Sequence, residues 1–323
     1  MKKQLLIAAV AATMASASMA DISIAGAAKV NYTTVDFDGT TASTNDFSRE
    51  MDLKITGKSG DTTVVMNFAN DTLGNAAGTG ISAEDTYVAT SISGVSIKAG
   101  AWDNGNNELR SSTRGDNKFT ASTAMGGVTI TYDVTEESAG KNADTIKLAG
   151  DMAGVSASYK SVDNGEDISL STTVSGVKVS YLALNRDAAN TDRSVVEVSG
   201  SAGNVGIKIA QATADSSTRI SGDTWMGDFE DSTFDGTTSN AYDLVNGQDV
   251  TSVELSTSIA GNAVKFRMTD VDDVAGSDMS FNKVIITRPL ANGTTFEATY
   301  TDLDDSAAAN DSQTLDLELA VKF

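Results

Sequence analysis

Apolar and polar residues alternate strictly, one for one, in segments of about ten that recur to the last residue of the chain. In Leu315-Asp316-Leu317-Glu318-Leu319-Ala320-Val321-Lys322-Phe323 every odd position is apolar. A β-strand points successive side chains to opposite faces, so this segment has one apolar face and one face carrying Asp316, Glu318 and Lys322. The pattern recurs with Ile22, Ile24, Gly26, Ala28, Val30 and Tyr32, with Val128, Ile130, Tyr132 and Val134, with Val205, Ile207 and Ile209, and with Val264, Phe266 and Met268. An amphipathic helix needs apolar residues three and four apart, a spacing these stretches do not offer. The chain therefore reads as all-β.

The connections also alternate. Tight turns at Ser59-Gly60, Ser93-Gly94, Gly126-Gly127, Ala153-Gly154, Ser175-Gly176, Ala202-Gly203, Ala260-Gly261 and Asn292-Gly293 are separated by longer polar links. Counting segments gives an antiparallel barrel of 16 or 18 strands, both open at this stage. A soluble sandwich would need two apolar inner faces. Here the polar face is as regular as the apolar one, which suits lipid outside and water inside a closed barrel. Phe37, Phe47, Phe68, Tyr132, Tyr159, Tyr181, Phe266, Tyr300 and Phe323 fall within or near the segment ends, where aromatic girdles sit. After residue 20 no apolar run approaches the ~18 residues of a spanning helix, so any membrane crossing uses strands.

Residues 1–20 have the order of a secretory signal peptide: Lys2 and Lys3, an apolar stretch from Leu5 to Ala12, and the small-residue exit Ser18-Met19-Ala20. The expected mature domain is 21–323, with 23 − 2 = 21 basic and 44 acidic residues, a charge near −23. Nucleic acid is not an expected partner of so acidic a chain. The chain has no cysteine and no histidine. Disulfide scaffolds, Ser-His-Asp and Cys-His nucleophiles, and imidazole or thiolate metal sites are thereby excluded, and the chain is not expected to be an enzyme. Carboxylate-pair catalysis and oxygen-ligand cation sites stay open, beside the plainer reading of the acids as a solvated surface.

Together the signal peptide, the alternating strands and the carboxy-terminal Phe323 make the whole mature chain resemble the Gram-negative general porins. The resemblance implies an outer-membrane pore for small hydrophilic solutes and ions, a homotrimer, and a third long loop that narrows the pore. It also implies that Phe323, with Leu319 and Val321, is the signal read by the barrel-assembly machinery. By order of connections the third loop falls at Asp103 to Asp116 and contains Glu108, Arg110 and Arg114. Mixed charges there suit a constriction, and they equally suit an ordinary surface link. The longest link, 215–248, contains Trp225, Phe229, Phe234 and Tyr242; covering the mouth, contacting a neighbour and hiding a hairpin are all open roles for it.

Acids concentrate in the long links, as in Asp302-Leu303-Asp304-Asp305 and Asp270-Val271-Asp272-Asp273, whereas Lys54, Lys98, Lys178, Lys208 and Lys265 lie near tight turns. Alternation puts these lysines, with Lys29 and Arg267, on the polar face expected to line the pore. A ring of bases favours anions, so weak anion preference is the expectation, beside a lumen that is simply hydrophilic. No resident cofactor is expected. Acidic outer loops that bind Ca²⁺ or Mg²⁺, bridging one another or lipid head groups, form a second expectation. The competing reading is a secreted, acidic, β-rich surface-layer or adhesive protein.

Overall fold

The computed structural model describes residues 21–38, 42–70, 81–103, 114–138, 141–187, 192–214, 248–273, 278–306 and 311–323. Residues 1–20, with the expected signal peptide, and most of the 215–248 link lie outside these. Eighteen strands run β1 (Asp21–Phe37), β2 (Thr44–Ser59), β3 (Thr62–Asn70), β4 (Ser82–Ile92), β5 (Val95–Asp103), β6 (Arg114–Met125), β7 (Val128–Ser138), β8 (Lys141–Met152) and β9 (Val155–Val162). They continue as β10 (Gly165–Val174), β11 (Val177–Arg186), β12 (Arg193–Ala202), β13 (Val205–Ala214), β14 (Gln248–Ile259), β15 (Asn262–Asp273), β16 (Met279–Pro289), β17 (Thr294–Asp305) and β18 (Ser312–Lys322). Each strand pairs antiparallel with its neighbours in sequence, and β18 pairs with β1. The fold is a closed 18-stranded antiparallel barrel, which decides between the two strand counts. Closure satisfies every strand edge, the condition for crossing hydrocarbon.

The apolar residues of the alternating pattern point outward. Ile24 is 64 % exposed, Ile146 51 % and Leu319 49 %, values no water-soluble wall would tolerate in such number. Aromatics edge this belt. The Tyr32 and Phe47 rings pack at 4.7 Å between centroids, and the Tyr132 hydroxyl donates to Asp144 Oδ2 at 3.1 Å, with the ring in the belt and the polar tip above it. Phe37 departs from the girdle expectation: its cross-strand partner is Ser312, and both lie on the inner face.

Six of the eight tight turns fall on the expected pair, and two, Gly60-Asp61 and Gly203-Asn204, lie one residue later because Ser59 and Ala202 still pair within their strands. Ser93, Ala153, Ser175, Ala260 and Asn292 have φ between 51° and 60°, and each is followed by a glycine at φ 74° to 84°. Two successive left-handed residues make the turn whose twist matches a hairpin. Alternation of short and long links has two exceptions, and one is the two-residue link 139–140 between β7 and β8. In the other, Asp163-Asn164 joins β9 to β10 at the long-link end in two residues, so the rim is low there. Replacing Gly154, at φ 83°, with valine is expected to destabilise the barrel by about 1–2 kcal/mol, whereas Ala153→Gly should stabilise it slightly. Urea midpoints of the two variants in micelles check this; equal midpoints would overturn it.

The inner face is not polar throughout. Leu184, Val195, Ala210, Ala212, Val250, Val271, Phe281 and Leu303 form a buried cluster on β11–β17 toward the long-link end. Each lies on the inner side, because its cross-strand partners do: Leu184 faces Arg193, Val250 faces Ala212 and Val271, and Phe281 faces Thr269 and Leu303. The runs Val195-Val196 and Leu182-Ala183-Leu184 break the alternation, as strands buried on both faces do.

Candidate functional site: the charged lumen

Cross-strand partners share a face, so the register carries the inner face from strand to strand. Lys29 pairs with Glu50, Lys54 with Ala25 and Asn67, Lys98 with Ala89 and Thr120, and Lys178 with Thr173 and Ser199. Lys208 pairs with Ser199 and Glu254, Lys265 with Ser256 and Ile285, and Arg267 with Glu254 and Lys283. All seven bases of the expected ring therefore lie on the inner face.

The acids are not confined to the long links. Glu50, Glu197 and Glu254 sit on strands among those bases. Lys29 forms an ion pair with Glu50, and Lys208 Nζ lies 3.7 Å from Glu197 Oε2. Glu254 serves two bases at once. Its Oε2 accepts from Arg267 Nε at 3.2 Å and Nη2 at 2.7 Å, and its Oε1 lies 3.6 Å from Lys265 Nζ. Arg267 and Glu254 are 7 % and 8 % exposed, so this junction is buried in the wall. Four of the seven expected bases are thus matched by carboxylates. Sequence spacing does not reveal this, since the partners are brought together only by register.

Lys98 is held by aromatic rings. Its Nζ lies 3.8 Å from the Tyr87 ring centroid and 4.2 Å from that of Trp102. Lys118 Nζ lies 4.7 Å from the same indole and donates to the Trp102 carbonyl oxygen at 3.0 Å. A register shift between Gly100 and Trp102 accompanies this arrangement. Bulges of this kind re-aim a side chain.

Three like-charge pairs also lie directly cross-strand on the inner face: Arg267 opposite Lys283, Lys147 opposite Lys160, and Glu297 opposite Glu318. β8 and β9 lie half-way round the eighteen-strand ring from β17 and β18. Lys160 is also opposite Asp167, whose Oδ1 lies 2.8 Å from Arg186 Nη2.

The segment expected as the narrowing loop is shorter than its expected bounds. β5 continues to Asp103 and β6 begins at Arg114, which are paired, and Asp116 lies within β6. Backbone pairing extends the strands into the charged stretch expected as loop. Glu108 and Arg110 fall outside the described residues. Leu319 and Val321 lie on the outer face of β18, and Phe323 follows that strand's end. Among the described residues no group of three or more acids converges as a metal site.

No protein-family profile matches the sequence, and no curated protein is similar to it. Solved structures share its fold. OccK10 (OpdN) of Pseudomonas aeruginosa superposes with a TM-score of 0.68 at 11% identity, over 94% of this chain and 99% of that one. OccAB4 of Acinetobacter baumannii gives 0.67 at 11%, over 94% and 98%. The outer membrane protein OprD from Pseudomonas aeruginosa gives 0.66 at 12%, over 96% of each chain. The chain is similar to these over nearly its whole length, and what it shares with them is the closed 18-stranded barrel.

Proposed function

We propose that this chain is an outer-membrane porin, a channel for passive diffusion of small hydrophilic solutes and ions, and not an enzyme. The observation that carries the reading is a closed wall, apolar outside and lined inside with charges of both signs. A surface-layer or adhesive protein would have to cover the apolar belt, and a lipid bilayer does so without further assumption. Similarity in fold to an outer membrane protein supports the same location.

Within this reading the pore prefers anions weakly. Lys54, Lys98 and Lys178 supply positive charge to the lumen, while Lys29, Lys208, Lys265 and Arg267 are offset by Glu50, Glu197 and Glu254. The segment from Asp103 to Asp116 keeps its reading as the narrowing element. The resemblance to general porins further supports a homotrimer and recognition of Leu319, Val321 and Phe323 by the barrel-assembly machinery. Divalent cations that bridge acidic outer segments to one another or to lipid head groups belong to the same proposal, with Asp249 directly opposite Asp272 on the outer face.

Refolded mature protein in a planar bilayer should give stepwise, ohmic currents in KCl, with a reversal potential under a salt gradient on the anion side. Clear cation preference would sink the lysine reading, and absence of any conductance the porin reading. Chelator should lower trimer stability; an unchanged trimer would remove the divalent bridge.

A further inference from the structure

The inner wall formed by β16, β17, β18, β1 and β2 holds a cavity of about 440 Å³ lined by Lys29, Asp46, Lys283, Glu297, Asp316 and Glu318. Its charges are layered by the register. One rung runs Lys283–Thr301–Thr314–Val35–Thr44, and the next runs Ile285–Thr299–Asp316–Thr33–Asp46. The third runs Thr287–Glu297–Glu318–Asn31–Ser48, and the fourth carries Lys29 opposite Glu50. Same-face rungs are about 7 Å apart, two residues along each strand. A base therefore stands at each end of the cavity, with two rungs of carboxylates between them.

Glu297 directly opposite Glu318 is an arrangement that destabilises a sheet. The groups that hydrogen-bond these two are neutral. The Thr287 hydroxyl donates to Glu297 Oε2 at 2.8 Å, and the Asn31 amide, turned to suit its neighbours, donates to Glu318 Oε2 at 3.2 Å. Lys29, one rung away, forms its ion pair with Glu50 and also attracts Glu318, which leaves Glu297 the less compensated of the two. A cationic group placed at the glutamate rung would relieve the repulsion. Lys283, only 7 % exposed, presents a base two rungs along the same cavity.

Accepting the pore reading above, we infer that this cavity is a docking station on the lumen wall for small zwitterionic solutes, with the Glu297–Glu318 rung taking the ammonium end and Lys283 the anionic end. Both ends of such a solute are costly to strip of water, and the layered wall replaces that hydration with charge-assisted hydrogen bonds. A solute with one charge satisfies only half of the layering. It should pass without pausing.

The probe is 4-aminobutanoate, added to single channels of the refolded mature protein in KCl, with butanoate and butylammonium as single-charge comparisons. The zwitterion should interrupt the current with dwell times longer than either comparison. Both the Glu297→Gln/Glu318→Gln double variant and Lys283→Met should shorten these dwells about tenfold, the loss of one charge-assisted contact. Glu318→Asp, which keeps the charge, should retain most of the dwell and guards against a folding artefact. Equal dwells for the three solutes, or an unchanged dwell in the double variant, would overturn the station. Titration calorimetry of the micellar barrel with 4-aminobutanoate separates the two readings. Heat of binding without KCl conductance would overturn the pore and keep the station, whereas KCl conductance without binding or interruptions would do the reverse.

Discussion

Replacing Gly26 with valine should weaken the barrel at the end of its β1–β18 seam. Phe323 is bound to β1 by two backbone hydrogen bonds: Gly26 N–H donates to the Phe323 main-chain oxygen at 2.8 Å, and Phe323 N–H donates to the Gly26 carbonyl at 2.9 Å. The Phe323 ring lies over the Gly26 α-carbon. A Cβ at position 26 would meet Cε2 of that ring at 2.6 Å and Cε1 at 3.1 Å, with Cζ nearer still. Valine must therefore push the terminal ring away or break the paired hydrogen bonds beside it. Overpacking costs about 1–3 kcal/mol where the structure can shift. Here it falls on the one junction that joins the two ends of the barrel, so the loss should appear in assembly as well as in stability. The heat-modifiable gel band of the folded barrel should weaken in Gly26→Val, and the urea midpoint should fall. Phe323→Ala in the same chain removes the obstacle, so the double variant should recover part of what the valine loses, with a coupling of about 1–3 kcal/mol. Strict additivity would show that the ring and the glycine do not act as a pair.

That contact illustrates what the sequence discloses and what it withholds. Gly26 sits in an outward position of an alternating strand, and Phe323 ends the last one, so both were legible as parts of strands on the apolar face. Their meeting was not, because the β1–β18 register links residues almost three hundred apart. The turns were legible for a local reason: a pair such as Ala153-Gly154 fixes its own backbone. At the Asp163-Asn164 turn the glycine comes one place later, as Gly165 at φ 142° in the first position of β10, so the barrel's low rim at β9 and β10 is not marked by the same pair. In the lumen, alternation correctly assigned Lys208, Lys265 and Arg267 to the inner face. It gave no hint that Glu254 would stand between two of them, since one face of a strand says nothing about the height at which its neighbour is pinned. The apolar inner cluster was hidden for a different reason. Around Leu182-Ala183-Leu184 both faces are apolar, so alternation there carries no information about which side faces the lumen.

Removing the carboxylate of Glu254 should produce the larger electrostatic change in this wall. Arg267 is paired to Glu254 through two nitrogens, and both side chains are 9 % exposed, while Lys265 approaches the other oxygen from a more open position, 47 % exposed. Glu254→Leu leaves a buried guanidinium without that partner, a change that costs about 3–5 kcal/mol when one member of a buried pair is lost. Lys265 is more exposed and adds little to that figure. The consequence for permeation has the opposite sense. Two positive charges released from their shared carboxylate strengthen the basic inner face, so the reversal potential of Glu254→Leu should move toward anions even as the urea midpoint falls. Glu254→Leu with Arg267→Met removes both members of the buried pair and should restore most of the stability, because apolar residues of similar volume replace a buried ion pair at little cost. Lys265 keeps its charge in that double variant, so part of the anion shift should persist. Salt separates the two effects. The selectivity change should shrink as ionic strength rises, while the stability change should not, since charges facing a water-filled lumen are screened and a pair held within the wall is not.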